Sequence, residues 1–431
     1  MKLTIIGAGS VGFTRSLMND VLLEPALEGV KISLMDVDAE KLAVAADYVK
    51  ALIEVNKCKA TVEATTDRSE AIKDANAVVA TIRVADRETL AANFTIPARY
   101  GFRQTVGDTV GPGGVLYGVH NTTVLLSICR DMERLCPNAI FLNYTNPMAI
   151  SLAALQKGSS TRSIGLCHSV QGGIHFLAGL LGLKWQEMDY CSAGVNHCSW
   201  FIKLEHKNKN MYPALFERIK DPAVFAKDTV RFDLMQCFGY YPTESTTHHA
   251  EYHPYYLRHD SEIERLNLKK EVNVRGDWYM KRTTESRVDE FKKLMAAPDA
   301  MKLRPSVEYC RLILRGFVTD QPERVFGSFL NHGYVTNLPP DCAVEVPTFV
   351  DRNGFHPVPV GALPPGVAAR TAALAYHQAL AAEAILRKDL TLLRHAILVD
   401  PNASATLTTI QIREMTDEMI KANKGYLKGY K

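Results

Sequence analysis

Three features of this sequence predict an α/β fold: a doubly wound parallel sheet with a mixed α+β second domain packed intimately against it. Short apolar strands alternate with amphipathic helices up to Cys167. A glycine-rich turn joins the first strand to the first helix, and the second strand ends on an acidic residue. After about Tyr190 the alternation loses its regularity, which divides the chain into a first domain over 1–190 and a second over 191–431.

Leu3 to Ile6 reads as a buried strand, followed by Gly7-Ala8-Gly9-Ser10-Val11-Gly12-Phe13 and a helix from about Thr14 to Leu23. This order brings a pyrophosphate against backbone amides at a helix amino terminus, the Rossmann-type arrangement. Lys31 to Met35 forms the next strand and ends at Asp36, whose carboxylate can accept hydrogen bonds from an adenosine ribose and repels a ribose phosphate. NAD is therefore expected over NADP, with Gly7, Gly9, Ser10, Val11, Gly12, Phe13 and Asp36 as its contacts. The plainer alternative is a tight strand-to-helix turn.

The same rhythm continues with a helix over Lys41 to Ile53, an extended Thr61 to Ala64, a helix over Ser69 to Ala75 and a buried strand over Ala77 to Ile82. Arg83 follows at the carboxyl edge, where such sheets bind ligands, and is read either as a cofactor contact or as a solvated loop arginine. Gly107 to Gly114 carries four glycines around Asp108, which allows close backbone approach to a polar ligand, before a helix to about Leu135. Ala139 to Leu142 ends in Asn143-Tyr144-Thr145-Asn146-Pro147, whose amides suit sugar or ribose hydroxyls, or simply a turn.

Ser163 to Leu166 then delivers Cys167 to the same edge. A thiol there and an imidazole from Gly194-Val195-Asn196-His197 suit a soft-to-borderline divalent metal, provided the thiol is reduced and ionised. A buried thiol and a satisfied histidine are the bland reading.

In the second half, Trp200 to Leu204 reads as a strand and Asp221 to Cys237 as a helix. Residues 240–256 pack histidines, carboxylates and tyrosines together, a density of proton-transfer groups that points to catalysis. Glu264 to Met295 reads as a charged helical, solvated face, and Asn331 to Pro339 and Val344 to Pro347 as strands and turns. Gly366 to Leu386 and Ile410 to Ala422 read as terminal helices that pack on the second domain or on a partner subunit.

A hydrophobic content of 47% and a charged content of 23% predict a well-packed globular protein, and a net charge of +3 without a basic block gives no support to a nucleic-acid or membrane-surface role. Neither a secretory signal nor a bilayer-spanning run is apparent, so a cytoplasmic protein is expected. Nine scattered cysteines, an odd number, argue for a reducing compartment, which a thiolate ligand needs.

Taken in order, GAGSVGF, GDTVGPGG, NYTNP, CHSVQG, AGVNH, HHAEY, NLP and VEVP followed by VDRNG resemble the NAD- and metal-dependent glycosidases of glycoside hydrolase family 4 across essentially the whole chain. The residues Cys167-His168-Ser169-Val170 are similar to the α-galactosidase subgroup of that family. The resemblance implies a lactate/malate-dehydrogenase-like architecture and hydrolysis of terminal α-galactosides through oxidation at C3, proton removal at C2, elimination, water addition and re-reduction, outside the usual two-carboxylate scheme. It implies NAD+ and a divalent metal, typically Mn2+, held by Cys167 and His197 under reducing conditions. Arg83 and Asn146 join the cofactor contacts, and Asp108, Asn143 and His168 become substrate contacts. His168, His248, Glu251 and Tyr252 are the catalytic candidates.

The base is left open among the last three, because relatives carry an acidic residue where this chain has Thr247 before the histidine. A homodimer or homotetramer acting on a small sugar is expected. An α-glucosidase, an α-galacturonidase or, more distantly, a lactate/malate-type dehydrogenase remain alternatives. The last would need a histidine-aspartate relay for which no His-Gly-Asp segment is found.

Overall fold

The computed structural model describes residues 1–431. Twelve strands form one continuous sheet. Strands β1 (Lys2–Ile6), β2 (Lys31–Met35), β3 (Thr61–Thr65), β4 (Ala77–Ala80), β5 (Ile140–Asn143) and β6 (Arg162–Gly165) lie parallel in the order β3-β2-β1-β4-β5-β6. That is the strand order of a dinucleotide fold, with its binding crevice outside the carboxyl ends. The four residues of β4 and of β5 are all buried, as parallel strands covered on both faces must be.

The remaining strands extend the sheet antiparallel. They are β7 (Met188–Val195), β8 (Cys198–His206), β9 (Lys209–Asn210), β10 (Glu323–Leu330), β11 (Ala343–Asp351) and β12 (Gly354–Pro357). Strand β10 meets β6 through a single pair, Ser328 against Gly165, and the order runs on as β11-β7-β8-β9, with β12 beside β11. The second half of the chain thus grows from the edge of the first. It carries the β7–β8 turn back to the end of β6.

Two large apolar clusters cover the two faces of the parallel sheet. One includes Leu3, Ile5, Ile32 and Leu142 and continues into Trp200 and Phe201 of β8. The other includes Val78, Ala80 and Phe141 with helices Gly111–Leu135 and Met148–Gly158. Each fully buried Leu, Ile or Phe contributes about 1.5–3 kcal/mol by leaving water. The alanine-rich helix Pro365–Arg387 belongs to this second cluster through Ala381, Ala382, Ala384 and Ile385. Its other end, through Val367, Leu374 and Ala375, joins the first cluster and accepts the Trp200 Nε1–H on Thr371 Oγ1 at 3.1 Å, so it packs on the second half, as expected, and on the first as well. No helix is long and apolar enough to cross a membrane.

Two expected helices are broken. The segment Asp221 to Cys237 forms Pro222–Phe225 and Thr229–Phe238, because Asp228 at the break turns its carboxylate inward. There it accepts from Thr246 Oγ1 at 2.6 Å and from the Tyr241 hydroxyl, and pairs with Arg231 at 2.5 Å. The segment Glu264 to Met295 forms the end of Asp260–Arg265, then Arg275–Met280 and Thr284–Met295. Asn267 and Asn273 adopt positive φ, and Thr283 caps the last helix by accepting from Ser286 N.

Asp228→Ala would strand the buried Arg231 guanidinium without its carboxylate. The expected loss is about 3–5 kcal/mol of folding free energy, read from denaturant unfolding; a loss below about 0.5 kcal/mol, the spread of ordinary surface changes, would refute that role for Asp228.

Candidate active site

The first β–helix turn is shaped for an anion. Gly7 sits at φ +90°, and a side chain there would meet the Thr81 carbonyl at 2.8 Å. Helix Val11–Leu23 starts with no side-chain cap from Ser10, and the space around Gly12 is open to 4 Å. Its first amides therefore lack intrahelical partners and face a free approach. Val11 itself is buried in the core, and Phe13 packs on Tyr144 with ring centroids 5.3 Å apart, so both offer backbone rather than side chain. Asp36 accepts from Gly9 N at 2.9 Å and from Asp38 N at 3.0 Å, which fixes its carboxylate at the rim.

A cleft of about 770 Å³ opens there, lined by Gly7, Gly9, Ser10, Asp36 and Arg83, and on its far wall by Arg282 and Arg287. Arg282 stacks on Trp278 at 4.2 Å and leaves its buried Nε without a partner, an orphan donor suited to a diphosphate. Thr284 Oγ1 donates to Asp38 Oδ2 at 2.7 Å and ties this wall to the sheet. These arginines come from the segment expected to be a solvated face. The aromatic Trp278-Tyr279 pair among the charges was the signal that it turns inward.

At the carboxyl end of β6, Cys167 meets His197 and, unanticipated from sequence, Glu244, with their ligating atoms all within 4.8 Å of one another. Cys167 Sγ lies 3.8 Å and His197 Nε2 4.0 Å from Glu244 Oε2. His197 occupies the two-residue turn between β7 and β8 at φ +65°, and Glu244 has φ +69°, conformations that non-glycine residues hold only where surroundings enforce them. Gly194 makes the turn possible, since a side chain there would meet the Cys198 carbonyl at 2.5 Å. Buried Glu345 on β11 accepts from Ser199 Oγ at 2.7 Å and from Asn196 Nδ2 at 3.5 Å, bracing the turn from below.

The set offers one sulfur, one nitrogen and one carboxylate, a mixed set for a divalent cation in which the carboxylate gives a harder ion such as Mn2+ its oxygen donor. Burial, helped by Glu244, pushes the Cys167 thiol up to about 12. Ionising it therefore calls for a cation at this spot, as thiolate ligation requires. Burial resists ionisation of Glu244, but His248, His197, His168 and Arg231 outweigh it and hold the carboxyl at about 2.

His248 lies in the helix Thr246–Tyr252, its ring edge-on to His197 at 4.7 Å. Its Nδ1 faces Ser245 Oγ at 2.8 Å and Glu244 Oε1 at 3.2 Å, and burial pulls it down to about 3, so the imidazole is neutral. With Nδ1–H directed at these oxygens, Nε2 is left as a lone pair. His168 is more open, 53% exposed, with Nδ1 on the Glu308 carboxylate at 3.0 Å. That hydrogen bond holds it up at about 9 against the pull of burial. The two imidazoles are thus set at opposite protonation states.

Other candidates are placed differently. Glu251 accepts the backbone N–H groups of Thr105, Val106 and Gly107 at 2.8–2.9 Å, so it shapes the loop that carries Asp108, and burial, against these bonds, raises its carboxyl to about 7. Tyr252 is fully buried, donates to Thr109 Oγ1 at 2.5 Å and sits 3.5 Å from His197 Nδ1, orienting that ring. Asn143 is also fully buried: its amide donates to the Thr145 carbonyl at 3.0 Å and accepts from Thr145 N at 3.1 Å. Both of its amide atoms are engaged in the turn. Asn146 accepts through its carbonyl from Asn121 Nδ2 at 2.7 Å and stands beside Asp108. Asp108 keeps a buried, unpartnered Oδ1, and burial raises its carboxyl although His197 and Arg275 oppose this. That oxygen is free to take a hydrogen-bond partner.

The chain matches the family described as "Family 4 glycosyl hydrolase" over residues 2–183 and "Family 4 glycosyl hydrolase C-terminal domain" over 192–403. It is 35% identical to an alpha-galactosidase of Rhizobium meliloti (strain 1021), over 100% of this chain and 89% of that one. It is 34% identical to an alpha-galactosidase of Bacillus subtilis (strain 168), over 100% of both. In fold it is similar to a 6-phospho-alpha-glucosidase from gut microorganisms solved with NAD and Mn2+, with a TM-score of 0.83 and 22% identity, over 99% of this chain and 98% of that one.

Glu251→Gln places an N–H2 group among three N–H donors. It is expected to cost about 1–3 kcal/mol in unfolding experiments and to loosen the loop around Asp108; unchanged stability would show that the loop does not depend on this carboxylate.

Proposed function

Since the chain belongs to family 4 of the glycosyl hydrolases and is thus a glycosidase, we propose that it hydrolyses terminal α-galactosides with NAD+ and a divalent cation bound at its two prepared sites. One observation carries this reading. The anion-ready turn after β1 and the Cys167, His197 and Glu244 donor set after β6 open on the same edge of one sheet.

Gly7, Gly9, Ser10, Gly12 and Asp36, with Arg83, Arg282 and Arg287, would hold the dinucleotide, and Cys167, His197 and Glu244 the cation. When bound, NAD+ supplies a hydride acceptor for sugar C3 and the cation a Lewis acid that makes the neighbouring C2–H removable.

The protein's own side chains do the proton chemistry. Neutral His248, with Nδ1 turned to Glu244 and Ser245, presents Nε2 to take the proton from C2. Protonated His168, held by Glu308, delivers a proton to the departing glycosidic oxygen at the more open side of the site. Two titratable groups pushed apart in this way divide the acid and base roles. Asp108 fixes a sugar hydroxyl through its free oxygen. In the same proposal the chain works in a reducing compartment such as the cytoplasm, which its nine unpaired cysteines support, and assembles as a homodimer or homotetramer, for which exposed Tyr376, Val399 and Ile410 offer apolar contact.

Release of nitrophenol from p-nitrophenyl α-galactoside should require NAD+, Mn2+ and a reductant together, and exceed release from the α-glucoside and the α-galacturonide. Full activity after NAD+ and Mn2+ are removed, or a preference for another glycoside, would overturn the reading. Glu244→Gln should weaken Mn2+ binding by about 10- to 100-fold while leaving NAD+ affinity unchanged; wild-type Mn2+ affinity would remove Glu244 from the donor set.

In the pH profile, activity falls as pH rises through the His168 value near 9, because the acid loses its proton. Glu308→Gln should move that alkaline limb down by about one unit, and an unmoved limb would separate Glu308 from the acid.

A further inference from the structure

Directly behind the catalytic turn lies a second group of ligating atoms that none of the chemistry above uses. Cys198, the first residue of β8, faces His249 and His253, which stand one turn apart on and just after the helix Thr246–Tyr252. Their ligating atoms also lie within 4.8 Å of one another, and all three residues are fully buried. The rings of His249 and His253 are stacked, with centroids 5.3 Å apart and an 11° tilt.

Hydrogen bonding fixes which nitrogens are available. His249 Nε2 lies 2.6 Å from the Thr243 carbonyl, which only accepts, so Nε2 carries the hydrogen and the neutral ring keeps a bare Nδ1. That Nδ1 points at His253 Nε2 at 3.1 Å. The other nitrogen of His253, Nδ1, is buried without any partner. The bare His249 Nδ1 thus accepts from His253 Nε2–H, a bond an ion would replace because the two nitrogens stand at about the spacing of two ligands on one ion, and His253 Nδ1 is the atom of the cluster that protein hydrogen bonds leave unsatisfied. The bond from His249 to Thr243 is the outer contact that orients a ligating imidazole.

We propose that Cys198, His249 and His253 form a second, structural metal site for a thiophilic d10 cation, Zn2+ or Cu+. One thiolate and two neutral imidazoles in a dry pocket make a softer set than Cys167, His197 and Glu244, which includes a carboxylate; this set selects against Mn2+. Binding releases the Cys198 proton and forms a sulfur–metal bond with no redox change. An ion here would clamp the start of β8, next to His197, to the helix that carries His248 and Tyr252. It would lock the two elements whose meeting builds the hydrolytic site.

The test uses full-length Cys167→Ser, which removes the catalytic thiolate, so its outcome is independent of the α-galactosidase reading. Expressed with added zinc or with added copper and a reductant, this protein should retain about one equivalent of Zn2+ or Cu+ per chain through gel filtration, by mass-spectrometric metal analysis. The better-retained ion identifies the native class. Adding Cys198→Ala, or separately His253→Gln, should cut retention to below about a tenth. It should also abolish the near-ultraviolet thiolate-to-cobalt band of Co2+-loaded Cys167→Ser. Circular dichroism checks that each variant is folded, and whichever is folded decides. Absence of both ions and of the cobalt band from folded Cys167→Ser, or equal retention in the added variants, would overturn the site.

Discussion

A single half-buried carboxylate, Glu244, joins the parts of this molecule that do chemistry. Its two oxygens reach the thiol at the end of β6, the imidazole in the β7–β8 turn and the imidazole of His248 on the helix four residues beyond. These three elements are far apart in sequence and meet nowhere else in the same way. The carboxylate is kept charged in a dry place by the basic groups around it. That concentrates charge where a divalent cation is to be held, while burial, against the pull of that same carboxylate, keeps the neighbouring His248 imidazole uncharged.

The architecture explains why the chain needs its second half to have a site at all. The parallel half supplies the nucleotide edge, Asp108, Cys167 and His168, but neither the imidazole nor the carboxylate that completes the donor set. By adding antiparallel strands at β6, the fold carries His197 to that edge on a rigid hairpin, with Gly194 allowing the close crossing and Glu345 fixing the turn from below. The helix Thr246–Tyr252 then closes the site from above. Glu251 and Tyr252 spend their polar atoms on holding neighbours, the loop at Thr105–Gly107 and the His197 ring respectively.

Much of this was legible in the sequence where the determinant is local. The strand, glycine turn and helix at the amino end, the acidic stop at Asp36 and the alternating strands follow from periodicity and from glycine's freedom at one tight turn. Cys167 and His197 could be paired because each follows a strand in a recognisable phrase. What escaped depends on long-range geometry. Glu244 joins the donor set only because its backbone adopts a left-handed conformation that no residue pattern announces. Asn143 could be read as a sugar contact or as a turn residue, and its amide bonds to Thr145 are those of the turn. The charged segment from Glu264 to Met295 looked like a long solvated helix; asparagines and a threonine cap break it, and its arginines turn onto Trp278 and the cofactor cleft.

The central claim is that a nucleotide edge and a cation site converge on one sugar ring, so that an acetal bond is broken by way of the carbon next to it. Hydrolysis of an α-galactoside in heavy water, followed by nuclear magnetic resonance of the released sugar, tests this most directly. Proton exchange at C2 predicts deuterium at that carbon in the product. Complete retention of protium at C2 during full hydrolysis would contradict it.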